Sequence, residues 1–277
     1  MRILIVGAGV AGMTLAALLH QRGERPTVVE RAPGFDHAGY MISLYTLGSR
    51  VLHGLGLFER FRGESVAMER YEALDARGRA LQAYDMAPVN ARFGPVLGTS
   101  RPRLVGLLRA ALADADIRTS DALESIEPRG AEVVVTLGDG STAAWDLVVG
   151  ADGLRSRTRT LLFGEQPGFD TGWGGGVGWA DASAQAREAV VERWGAGGFL
   201  GGYPTSTAVG VFAAARARDG FDADGDGRRA RLLDRFAGWG GGADALLASL
   251  PSDDAPMFFW RLSDVRSREW SRGRVVL

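Results

Sequence analysis

Residues 1–31 read MRILIVGAGVAGMTLAALLHQRGERPTVVER. Arg2 to Val6 is a short, β-rich apolar run, Gly7, Gly9 and Gly12 spell G-x-G-x-x-G, and Met13 to Arg22 has helical periodicity. Gly23 closes that helix, Thr27 to Val29 predicts a second strand, and Glu30 stands at its end. A βαβ unit of about 30 residues with each part in place is the fingerprint of a dinucleotide site. Gly7 permits the turn after the strand, Gly9 lets backbone approach a pyrophosphate, and Gly12 lets helix and strand pack closely. The helix N-terminus offers unpaired amides to the phosphates, and Glu30 would accept hydrogen bonds from ribose hydroxyls.

The apolar run Ile3 to Leu19 also has the outline of a secretory signal. Three glycines interrupt it, only Arg2 supplies positive charge ahead of it, and Thr27 to Glu30 completes the nucleotide unit. It also falls short of the roughly 20 residues that span a bilayer. The nucleotide reading is the one that accounts for every residue.

Working outward, the 277 residues suffice for one large or two ordinary domains. A net charge of −1 provides no global field for nucleic acid or an anionic membrane, so neither is an expected partner. There is no Cys, which excludes disulfides, thiolate catalysis and Cys-ligated metals. His20, His37 and His53 have no metal-ligand spacing, and every basic side chain is Arg, which excludes lysine chemistry. No metal is expected, and the expected location is cytoplasmic.

Beyond Arg31, Thr46 to Phe61 predicts a helical segment. Arg70 to Asp75 and Arg79 to Asp85 alternate around Arg77-Gly78 as an antiparallel hairpin, where a nicotinamide dehydrogenase would continue its βα alternation. Arg101 to Ala113 returns to helical periodicity, Ile117 to Thr119 predicts a strand, and Leu123 to Ile126, Glu132 to Leu137 and Ala143 to Trp145 a meander. Asp146 to Gly150 (DLVVG) is an apolar strand suited to the centre of a parallel sheet. Asp152 lies at its carboxyl end, where open α/β sheets bind ligands, and Ser156, Arg157 and Arg159 follow on a helix. From Pro167 to Leu262 the pattern predicts glycine-rich turns (WGGGVGW), strands at Val190 to Trp194 and Ala208 to Ala214, and a helix from Arg228 to Trp239. Five of the seven tryptophans fall there, Trp173, Trp179, Trp194, Trp239 and Trp260, consistent with an aromatic pocket or simply a filled core. DADGDG (Asp222 to Gly227) imitates the opening of a calcium loop, but its bidentate acid is replaced by Leu233, so a solvated turn is expected.

Three separated stretches, GAGVAG with Glu30-Arg31, SRPRLVGLLRAAL and DLVVGADGLRSRTR, together resemble the single-component FAD-dependent aromatic hydroxylases, the family of p-hydroxybenzoate hydroxylase. GFLGGYP and the tail WSRGRVVL share the likeness, which covers essentially the whole chain and is most specific at Asp152-Gly153. The resemblance implies an α/β fold: a Rossmann-like FAD-binding domain on a parallel sheet (1–70, 98–166 and 263–277) and a smaller substrate domain on a mostly antiparallel sheet (71–97 and 167–262). It implies FAD contacts from Gly7, Gly9, Val10, Ala11 and Gly12, with Glu30 on the adenosine ribose and Arg31 beside it. Arg101 corresponds to an arginine on the flavin nucleotide, the Leu123 backbone to the adenine contact, and Asp152 to the residue serving FAD and the NAD(P)H groove. In the family, the strand matching Arg274 to Leu277 leads into a third Gly-Asp motif that holds the flavin's ribityl and phosphate. This sequence stops at Leu277, so the expectation is the first three quarters of such an enzyme.

The activity so implied is hydroxylation of a small aromatic substrate, polycyclic rings included, with NAD(P)H and O2 through a flavin C4a-hydroperoxide. That chemistry belongs to the cofactor, and no catalytic acid or base is assigned. Tyr203 and Phe212 are the expected pocket walls. A flavin-dependent halogenase would need a lysine this sequence lacks; a nucleotide-binding module without turnover is the alternative of another class.

Overall fold

The computed structural model describes residues 1–35, 39–166, 168–217, 221, 226–253 and 257–277. His37 and Asp222 to Gly225, with the turn expected there, lie outside the described residues. The chain divides into two compact units: Met1–His37, Pro102–Phe169 and Ser263–Leu277, and Ala38–Arg101 with Asp170–Leu262.

In the first unit the strand Ile3–Val6 is buried throughout and lies between Thr27–Val29 and Leu147–Gly150, parallel to both. Asp116–Arg118 extends this sheet at one edge and Val275–Val276 with Ser271–Arg272 at the other. Continuous apolar runs are what a sheet covered on both faces requires. The helix Val10–Gln21 begins directly after Gly9, earlier than the apolar periodicity alone marks, so the fingerprint residues form its first turn. An antiparallel meander of Leu123–Arg129, Glu132–Leu137 and Thr142–Trp145 adds Leu123, Val133, Val135 and Leu137 to a core shared with Leu4, Val6, Val29 and Val148.

The second unit is built on a seven-stranded sheet, in the order Phe258–Asp264, Phe169–Ala180, Val209–Arg216, Gly198–Pro204, Ala189–Gly195, Arg70–Asp75 and Ala80–Asp85. Ala189–Gly195 runs parallel to Arg70–Asp75, and the pairings from Phe169–Ala180 through Ala189–Gly195 are antiparallel. One face, carrying Leu200, Val209, Val211, Ala213 and Ala215, is buried under Leu232, Leu246 and Leu247 of the helices Arg228–Arg235 and Ala243–Ala248 and under Phe236, which caps the first of them.

Three expectations change. WGGGVGW forms no turn but lies inside the twelve-residue strand Phe169–Ala180. A Cβ at Gly175 would come 2.9 Å from Leu262 Cδ2, and one at Gly176 2.8 Å from the Phe259 ring. The glycines are therefore spaces filled by neighbouring side chains, a role that local sequence does not distinguish from turning. The segment 46–61 is two helices, Thr46–Gly54 and Phe58–Gly63, separated near Gly56, whose φ of +72° ends the first. Residues 38–70 cluster with the second unit, which thereby becomes the larger one. Met41–Leu44, Leu97–Ser100 and Val66–Ala67 form a small sheet there, with Gly98 against the Pro204 carbonyl and Met41 filling the space over Gly210.

Candidate functional site

The first unit places three sequence signals at the carboxyl ends of adjacent parallel strands. Gly7 follows Val6, Glu30 follows Val29, and Ala151-Asp152 follow Gly150. Gly7 adopts φ +106°, and a Cβ on it would lie 2.5 Å from the Ala151 carbonyl oxygen and 2.9 Å from Asp152 Cα. A Cβ on Gly12 would be driven into the Gly7 carbonyl oxygen. The two glycines thus close the turn against the helix on one side and against the Asp152 loop on the other. Gly9 caps Val10–Gln21 without a side chain, leaving the first-turn amides of Val10 and Ala11 to a ligand or solvent; Ala11 is exposed.

Glu30 ties the cradle together. Its Oε2 accepts the Ala8 amide at 2.9 Å and its Oε1 the Ala32 amide at 2.9 Å. Each carboxylate oxygen keeps a further lone pair, so Glu30 can hold the turn and still accept a hydroxyl proton. Asp152 Oδ2 accepts both the Thr158 amide (2.9 Å) and the Thr158 hydroxyl (3.0 Å), while Ser156 Oγ caps the helix Arg157–Phe163 from the Arg159 amide at 2.9 Å. Asp152 Oδ1 is buried with no hydrogen-bond partner. An orphaned buried carboxylate oxygen is costly unless a ligand or water meets it. A bare glycine cradle, uncapped amides, a fixed acid and an orphaned oxygen fit a bound dinucleotide such as FAD.

Leu123 opens a strand of the same unit, with its side chain in the core. Arg31 is exposed at the end of the Glu30 turn. Arg101 clusters with the second unit instead; it begins the helix Arg101–Ala110, and its amide donates to the Tyr40 carbonyl at 2.8 Å.

Tyr203 and Phe212 share the sheet face opposite the helices, because Tyr203 pairs with Gly210 and Gly201 with Phe212. Phe212 sits in an aromatic row: Tyr40 and Trp260 are 6.4 Å apart, Trp260 and Phe212 6.4 Å, Phe212 and Phe199 5.8 Å, and Phe199 and Trp194 4.6 Å. Tyr203 points instead to Glu192, donating to Oε1 at 2.8 Å, while Tyr71 donates to Oε2 at 2.7 Å. Burial, reinforced by the Glu192 carboxylate, raises both phenols well above the usual tyrosine range. Burial and the same carboxylate also raise Tyr45. Sequence reasoning missed Glu192, whose signal was a lone acid inside the strand AVVERWG, and Tyr71, which looked like any hairpin residue.

Comparison with known proteins agrees with this arrangement. Residues 1–219 match the family described as FAD binding domain. The aurachin C monooxygenase/isomerase of Stigmatella aurantiaca is 30% identical over 278 residues, which cover 99% of this chain and 72% of that protein. The 3-amino-4-hydroxybenzoate 2-monooxygenase of Streptomyces cremeus is 36% identical over 174 residues, 61% of this chain and 43% of that enzyme. The match thus spans under half the length of that relative. Among solved structures, Klebsiella pneumoniae HpxO complexed with FAD and uric acid superposes with a TM-score of 0.86 at 25% identity, over all of this chain and 72% of that one. Glycine cradle, Glu30, Asp152-Gly153 and these matches agree: the chain belongs to the FAD-dependent aromatic hydroxylase family.

Proposed function

We propose that the protein is a monooxygenase that hydroxylates a small aromatic molecule, polycyclic rings included, with NAD(P)H as reductant and O2 as oxidant. One oxygen atom enters the ring, the other leaves as water, and two electrons come from NAD(P)H. FAD, when bound, supplies the electron transfer and oxygen activation. The protein's residues bind and orient.

In this reading the first unit is the FAD domain and the second the substrate domain. The amides from Gly9 to Gly12 meet the pyrophosphate, Glu30 accepts from the adenosine ribose with Arg31 beside it, and the Leu123 backbone meets the adenine. Arg101 serves the flavin nucleotide, and Asp152 holds the cofactor and borders the approach of NAD(P)H. Tyr203 and Phe212 wall the substrate site, where the aromatic row supplies a stacking surface and keeps water from the reacting ring. The observation that carries the reading is the buried, unpartnered Asp152 Oδ1 beside the Gly7 turn, a position that calls for a ligand.

The test is a visible spectrum of the 277-residue chain after FAD addition and gel filtration, followed by NAD(P)H oxidation with a panel of aromatic rings. Retained flavin and a product heavier by one oxygen atom are expected. A chain that refuses FAD overturns the cofactor assignment, and one that holds FAD but inserts no oxygen overturns the hydroxylase assignment.

A further inference from the structure

We propose that the second unit recognises an uncharged or cationic aromatic ring bearing a hydrogen-bond donor, a hydroxyl, an amine or a ring N–H, through Glu192, Tyr71 and Tyr203, and rejects aromatic carboxylates. The inference rests on the aromatic-substrate reading above and narrows it.

The argument is an inventory of protons. Tyr71 and Tyr203 each have one hydroxyl proton, and both are committed to Glu192, one on each carboxylate oxygen. The Trp194 indole N–H is likewise committed, to the Tyr71 oxygen, so what remains at this centre is lone pairs on the phenol oxygens and the carboxylate, and it accepts and does not donate. A ring hydroxyl or N–H finds a charge-assisted partner there, whereas a carboxylate meets like charge and no proton.

The centre is built by the register of the sheet. Glu192 pairs with Gly201, and the Tyr203 ring leans over that glycine, where a Cβ would lie 2.6 Å from Tyr203 Cε2. Tyr71 reaches Glu192 from the other side, on the strand parallel to its own, with Tyr84 stacked on it at 5.0 Å. Burial raises the Tyr45 phenol, and Tyr45 feels the same carboxylate, which raises it further. Of the other charges that the register puts on this face, Asp75 is paired with Arg79, and Arg216 lies over the Trp173 ring at 4.6 Å, four residues along its strand from Phe212 and so away from Glu192. The same face carries the row from Tyr40 to Trp194, which gives the ring a surface to stack on.

Equilibrium dialysis of the FAD-treated chain against 1-naphthol, 1-naphthoate and 1-methoxynaphthalene tests this, because the three share a ring and differ in donor and charge. Naphthol should bind at least about tenfold more tightly than either of the others. In Glu192→Gln, with its fold checked by circular dichroism, the preference for naphthol over naphthoate should shrink by about tenfold. Naphthoate binding the native chain as well as naphthol does, or a preference unchanged in Glu192→Gln, overturns the proposal. The three-ring comparison on the native chain can do so without any variant. Retention of none of the rings also overturns it, and flavin measured in the same samples then reports separately on the cofactor assignment.

Discussion

Gly7 lies so close to Ala151 that a Cβ placed on it would stand 2.5 Å from the Ala151 carbonyl oxygen. Two of the family's signature motifs therefore meet at one bare backbone position. Gly7→Ala must relieve that overlap and also adopt φ +106°, where an L side chain is strained. Its expected cost is about 3 kcal/mol in urea unfolding, with loss of FAD retention.

Asp152 and Ser156 separate binding from folding. Ser156→Ala removes only the cap on the Arg159 amide and should cost about 1 kcal/mol in stability while FAD affinity holds. Asp152→Asn keeps one oxygen for Thr158 but loses the charge and the free Oδ1. It should stay within about 1 kcal/mol in stability and lose about tenfold in FAD affinity, both read by flavin titration beside urea melts.

Glu30→Gln presents an amide NH2 to one of the two backbone N–H groups that Glu30 now accepts. The turn should loosen by about 1–2 kcal/mol, and FAD affinity should fall by about tenfold or more. Flavin fluorescence quenching on titration measures the second.

Alkaline pH should weaken the second unit through its tyrosines. Tyr71 and Tyr203 ionise well above their unfolded value of about 10, so the fold holds their protons more tightly than the unfolded chain does. Their contribution is complete below about pH 10 and declines as pH rises from there toward the folded values. The Tyr71→Phe/Tyr203→Phe pair should flatten the fall in stability above about pH 10, and ultraviolet titration of the native chain should show two phenols that resist ionisation until unfolding.

The glycine turn and the two strand-end acids of the candidate site were legible because their logic is local: the turn and Glu30 are fixed by neighbours within one βαβ unit, and Glu30 and Asp152 stand at strand ends that sequence periodicity marks. The paired strands Arg70–Asp75 and Ala80–Asp85, the helix from Arg101 and the strand before Asp152 followed from the same local signals. The second unit was harder to read because its features depend on register between distant strands. Gly175 and Gly176 resemble turn residues until Leu262 and Phe259 are seen filling their space. Glu192 becomes a recognisable centre only when Tyr71 and Tyr203, far from it in sequence, converge on its two oxygens.

The first unit is assembled from three separate lengths of chain, and this sets an order of events during synthesis. Ile3 pairs with Leu147, so the strand Ile3–Val6 waits for more than 140 further residues before its inner neighbour exists. Val148 pairs with Val275, so that neighbour waits in turn for a strand more than 120 residues further along. Pairings so distant in sequence are slow to close and leave apolar edges uncovered meanwhile. The glycine turn is therefore finished well after its own residues are made, because Gly7 cannot meet Ala151 until the strand Leu147–Gly150 has formed.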